Sequence, residues 1–251
     1  MAKQRGPIKL EGTLDDITFI KTADGFMAKM KSGVPASRIN SDPAFELTRQ
    51  NMQEFNSAAK AGKLLREAFA TAVKSSSDGR VVSRLVKELM KVVKSDTTSA
   101  RGLRTVDKGN LGFLQGFNFN TKAAVTTTVR APFNPTIDRP SGNLIVHIPT
   151  FIPGNLIQAP TGSTHFRFVV MGGEIDFGNN VYSTDIGYSP MLPIDFNPTA
   201  NLDINATVPA NSTQDLILLF GIQFFQRVNG LDYAMNAGQY NAMEIAAVLE
   251  A

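Results

Sequence analysis

The chain has 251 residues with 43% hydrophobic and 19% charged side chains, no Cys, no Trp, two His and a formal net charge of +3. A chain this long buries roughly 70–75% of its unfolded surface and needs no metal or disulfide staple. The missing Cys excludes disulfides, thiolate metal sites, iron–sulfur clusters and cysteine nucleophiles, and two His argue against a multi-histidine metal centre.

The N-terminal Met1-Ala2-Lys3-Gln4-Arg5-Gly6-Pro7 is basic but leads into no apolar run, whereas a signal peptide needs about 7–15 apolar residues. The longest apolar run, Leu216 to Phe225, is interrupted by Gln223 and falls short of the ~20 residues of a spanning helix. A cytoplasmic protein with no membrane partner is expected.

Residues 7–31 read as a β-hairpin. Leu10, Ile17, Phe19 and Ile20 precede Thr22-Ala23-Asp24-Gly25, and Phe26, Ala28 and Met30 follow on alternate positions. Asp-Gly is a favoured turn because Gly accepts positive φ without steric cost. A helix is predicted to start at Asp42-Pro43, which supply a cap and a first-turn proline. It carries Phe45, Met52, Phe55, Ala59 and Leu65 to about Val73, with a bend at Gly62. Ser75-Ser76-Ser77-Asp78-Gly79 breaks it. Val82, Leu85, Val86, Leu89, Val92 and Val93 then follow the spacing of a second amphipathic helix. Residues 95–122 read as a connector whose Leu and Phe pack on a neighbouring element.

Composition changes near residue 120. Residues 1–120 hold 20 Lys+Arg and 12 Asp+Glu, whereas residues 121–251 hold 5 and 10. A basic half of net +8 thus precedes an acidic half of net −5. Ten of the 13 Pro lie in the second half, where strands are predicted at 123–130, 143–149, 165–172, 174–177, 201–208 and 215–226, separated by turns. Several are apolar on both faces, as when two sheets pack together. Residues 240–249 read as a short closing helix or docking tail, and the loop Thr150–Ser163, with two Pro, as a binding tip or a connection. The expected fold is α+β: a basic hairpin-plus-helical region over 1–120, and an antiparallel β-sandwich over 121–251.

Catalytic signatures are absent. His147 and His165 lie in predicted strands without metal-ligand spacing. Gly187-Tyr188-Ser189-Pro190 lacks the final Gly of a nucleophile elbow, and Gly109–Gly116 lacks the spacing of a phosphate loop. Glu174 and Asp176 share a strand face, an arrangement that could serve acid–base work, an ion or a subunit contact, although paired carboxylates at a strand end are commonly just solvated. No catalytic, cofactor or metal residue is assigned, and no enzyme is expected.

The largest charge feature is the set Lys60, Lys63, Arg66, Arg80, Arg84, Lys87, Lys91, Lys94, Arg101 and Arg104. Lys87, Lys91 and Lys94 share one helix face. Three readings fit: a solvated face, a contact with an acidic protein surface, or nucleic-acid phosphates.

The blocks Gly6-Pro7-Ile8-Lys9-Leu10-Glu11-Gly12-Thr13-Leu14-Asp15-Asp16-Ile17-Thr18-Phe19 and Ala58-Ala59-Lys60-Ala61-Gly62-Lys63-Leu64-Leu65-Arg66, with Asp42-Pro43-Ala44-Phe45, Ser83-Arg84-Leu85 and Asp96-Thr97-Thr98, resemble a family of uncharacterised Bacteroidota proteins over about the first 120 residues. The resemblance implies a bacterial or phage-linked origin and carries no activity.

Missing catalytic signatures, halves of opposite charge and strand edges that assembly would cover point to a non-enzymatic, self-assembling structural subunit of a filament, shell or virion, joined head to tail as a homo-oligomer. The alternative is a nucleic-acid-associated protein using the basic helices.

Overall fold

The computed structural model describes residues 2–30 and 33–251, with the backbone alone at 236 and 237. Its contacts divide the chain into two compact units that meet in sequence between Arg49 and Gln50.

The first unit holds β1 (Ala2–Lys3), β2 (Gly12–Leu14), β3 (Ile17–Thr22) and β4 (Gly25–Met30) in the antiparallel order β1-β4-β3-β2. The expected hairpin is therefore part of a small sheet. Its turn is the two-residue Ala23-Asp24, because Thr22 pairs with Gly25, whose φ is +106°. A second two-residue turn, Asp15-Asp16, joins β2 to β3, with Asp15 left-handed at φ 49°. The short helix α1 (Ala36–Ser41) follows, then the predicted cap: the Asp42 side chain accepts from Ala44 N ahead of a 3-10 turn at Pro43–Phe45. Helix α2 runs over Glu46–Ala68.

The second unit has three layers. On one side lie α2 from Gln50 onward, α3 (Ala70–Ser76) and α4 (Val81–Ser95). The helical stretch breaks at Phe69 (φ −101°, ψ 33°), not at Gly62. Gly62 instead allows close crossing, since a Cβ there would stand 3.2 Å from Leu89 Cδ1.

The middle layer is a sheet of six antiparallel strands: β7 (His165–Asp176), β8 (Val181–Tyr188), β9 (Leu192–Pro193), β11 (Asp215–Val228), β12 (Leu231–Ala234) and β13 (Ala242–Leu249). The outer layer is β5 (Asn134–Asp138), β6 (Asn143–Ile148) and β10 (Leu202–Thr207), in the order β10-β6-β5.

Strand alternation distributes the core. Val169, Met171, Ile175, Ile217, Leu219, Met243 and Ile245 face the helices, where they pack with Leu64, Leu65, Phe69, Leu85, Leu89 and Val92. Phe166, Phe168, Val170, Leu216, Leu218, Phe220, Ile222 and Phe224 face Leu144, Val146, Ile148, Ile204 and Ala206 of the outer sheet. Burial on both faces explains why Leu216–Phe220 is continuously apolar.

The antiparallel sandwich is thus present with helices as a third layer, and the α+β expectation holds. The contacts do not divide at residue 120: helices from 50–95 and strands from 165–249 share one core. Other predicted elements differ. Residues 123–130 form a helical turn, α5 (Val125–Thr128), rather than a strand. The two strands predicted at 165–172 and 174–177 are one, passing through Gly172 and Gly173. Residues 242–249 are the buried strand β13 and not a helix, paired with β11 from Leu216↔Leu249 to Ile222↔Ala242. Within the connector, Phe117 and Phe119 are buried, and Phe119 N donates to Met243 O (2.8 Å) along the free side of β13.

Candidate functional site

Three surfaces are candidates. The first is the sheet of residues 2–30. Its register sets Leu14 beside Ile17 and Ile17 beside Met30, with Phe19 beside Ala28 in the next row. One face is therefore apolar across three strands. Leu14 is 69% exposed, Ile17 43% and Met30 71%. Among the described residues of 2–49, none is buried. The turn Asp15-Asp16 stands at the end of this row.

The second is an apolar groove of about 560 Å³ between α2 and α4, lined by Phe55, Ala59, Val82, Val86 and Met90, with Arg80 and Lys87 among its lining residues. Phe55 and Val82 remain about half exposed. The third is a polar concavity of about 470 Å³ in the second unit, lined by Lys122, Thr127, Thr128, Arg130, Gln158, Thr161 and Tyr240 with Ala123, Ala159 and Pro160.

The ten basic residues do not form one uniform face. Lys60, Arg80, Lys87, Lys94 and Arg101 are exposed. Lys63 lies 3.7 Å from Glu67, and Lys91 2.5 Å from Glu88. Arg66 donates to Gly62 O (3.2 Å). Arg104 lies 3.9 Å from the buried Glu54, which accepts from Gly102 N. Arg84 is partly buried. It donates to Asn118 O (2.6 Å), Phe119 O (2.9 Å) and Asp78 Oδ2 (2.7 Å), so it ties α4 to the connector. Spacing alone groups Arg84 with the surface cations, but partner carbonyls 34 and 35 residues away decide its role.

Asp78 belongs to the same clamp. Burial by itself would raise its carboxyl, but hydrogen bonds from Thr121 and Arg80 N and the Arg84 charge outweigh it, giving a pKa of about 2. Asp215 shows the reverse. Burial, with Glu250 and Asp107 nearby, pushes its carboxyl up to about 6 despite a hydrogen bond from Ala251 N and the charge of Arg139.

Glu174 and Asp176 share the end of β7, but each is engaged. Glu174 accepts from the Ser212 hydroxyl. Asp176 closes a turn by accepting from Asn179 Nδ2 and N (both 2.8 Å), which lowers its pKa. His147 pairs with Asp203 across β6 and β10 at 2.6 Å, and His165 contacts Thr164 Oγ1 at 2.9 Å. Among the described residues, no group of three or more His, Asp or Glu is placed to hold a metal ion, and no helix is long and apolar enough to cross a membrane. The chain matches no known protein family, no curated protein and no solved structure.

Proposed function

We propose that the chain is a structural subunit that assembles with copies of itself, using the sheet of residues 2–30 as the joint. One observation carries this reading: a four-stranded sheet with an in-register apolar face has no buried residue among those described. A sheet needs an apolar face packed on something to be stable, and exposed apolar patches mark interaction surfaces.

The receiving surface is the α2/α4 groove of another copy. The joint carries Asp15-Asp16 beside its apolar row, and the groove carries Arg80 and Lys87 beside its own. Two dissimilar patches with opposite charge make a heterologous contact, which builds rings or open filaments.

Light scattering on a size-exclusion column, with absorbance at 260 and 280 nm, tests the proposal. The expected result is a nucleic-acid-free particle several times the 27.2 kDa chain mass, reduced to the monomer by Leu14→Ser/Ile17→Ser/Met30→Ser. A monomer from the unaltered chain overturns it. A particle that carries nucleic acid and falls apart on nuclease treatment favours the basic helices as a nucleic-acid surface instead.

A further inference from the structure

We propose that the polar concavity at Lys122 and Arg130 binds a small phosphate monoester whose body carries hydroxyl groups. The C-terminal half, residues 121–251, holds five cationic side chains against ten acidic ones. Three of the five are committed. Arg139 donates to the carbonyls of Ser212, Gln214, Leu249 and Glu250. Arg167 bonds Gln223 and lies 4.1 Å from the ring centroid of Tyr188. Arg227 makes a two-pronged pair with Asp232. The remaining two, Lys122 and Arg130, meet no acceptor or carboxylate among the described residues, and both line the same concavity. No acidic side chain is among its lining residues. In an acidic half, two uncompensated cations converging on one hollow form a site for an anion.

Its walls are fixed by hydrogen bonds. Arg130 N donates to Leu156 O and Gln158 N to Thr128 O (both 2.8 Å), and Val129 bridges Ile157. The loop of residues 150–163 is thereby locked against the chain at 128–130. Asn120, which is 3% exposed, ties two of the lining segments together. It accepts from Lys122 N (3.0 Å) and donates to Gln239 O (2.9 Å) and Asn241 O (3.1 Å), so one side chain positions Lys122 and the segment bearing Tyr240. Arg supplies a planar fork and Lys a point charge, the pair that suits a tetrahedral phosphate. Thr161, Gln158 and Tyr240 line the same hollow and offer donors and acceptors for hydroxyls.

Calorimetric titration with glucose 6-phosphate, inorganic phosphate and glucose tests the site. Saturable one-site binding of the ester is expected, weaker binding of inorganic phosphate, and none of glucose. Lys122→Gln/Arg130→Gln should weaken the ester about a hundredfold, roughly tenfold for each charge contact. Both side chains are exposed, so the melting temperature of that variant should match the unaltered chain's. Sulfate added to the unaltered chain should compete. No saturable binding of the ester, equal binding by the double variant, or stronger binding of citrate than of the ester would each overturn the proposal. The outcome is independent of self-assembly, which uses other residues.

Discussion

Arg84 and Lys87 stand one helical turn apart on α4, yet their substitutions should differ. Arg84→Met leaves two carbonyls and the Asp78 carboxylate without their shared donor, at a cost of about 2–4 kcal/mol. Lys87→Met, on an exposed position, should stay within about 0.5 kcal/mol. Urea denaturation of both variants checks the contrast. Asp215 sets a pH dependence. Its folded pKa of about 6 exceeds the ordinary 3.8, so the folded state holds the proton more tightly. That contribution is present below about pH 4 and is lost as pH rises through 6. Asp215→Asn should therefore raise Tm by a few degrees at pH 8 and change it little at pH 4, as read by thermal melts at both values. Asp78 works in the opposite direction, supporting the fold above about pH 4 and losing that support as pH falls towards 2.

Individual elements carry the assembly reading. If the β2–β3 turn meets the α2/α4 groove, Asp15→Lys/Asp16→Lys and Arg80→Glu/Lys87→Glu should each reduce particle mass, and combining them should restore it. Loss of assembly in the Leu14/Ile17/Met30 variant with no effect of the groove charges would keep the joint and discard the groove as its receptor. A second element, β8, meets the outer sheet closely at Gly187, where a Cβ would stand 2.0 Å from Asn205 O. The clash is with backbone, so Gly187→Ala should destabilise by about 1–3 kcal/mol, measured by urea denaturation.

For the whole molecule, both cores lie within residues 50–251. Limited proteolysis should remove the N-terminal residues and leave that unit intact. The trimmed unit should melt within a few degrees of the full chain under conditions where the full chain is monomeric. Salt adds a further check. Charged flanks are screened within ~3 Å at 1 M salt, so if the chain assembles as proposed, its particle should shrink as salt rises without a change in 260 nm absorbance.

Much was legible from local pattern. The Val82–Val93 spacing places α4, Asp42-Pro43 mark a helix start, and alternation in Leu144, Val146 and Ile148 places β6. These depend on periodicity and capping, which act over a few residues. The exposed cations, including Lys60 and Lys87, could likewise be read from spacing. What the chain did not declare locally depends on distant partners. Residues 242–249 are rich in helix-forming Ala, Met, Glu and Leu, yet pairing with β11 makes them a strand, because buried backbone groups take the hydrogen bonds the sheet provides. The role of Arg84 rests on carbonyls more than thirty residues away. Convergence of Lys122, Arg130 and Tyr240 on one hollow required three segments to be folded together. Sequence alone determined composition, charge layout, the α+β class and the most regular elements, since those follow from side-chain chemistry at short range. Tertiary structure decided which cations are held by partners, which strand completes the central sheet and where the concave surfaces lie, since those depend on contacts between residues far apart in the chain.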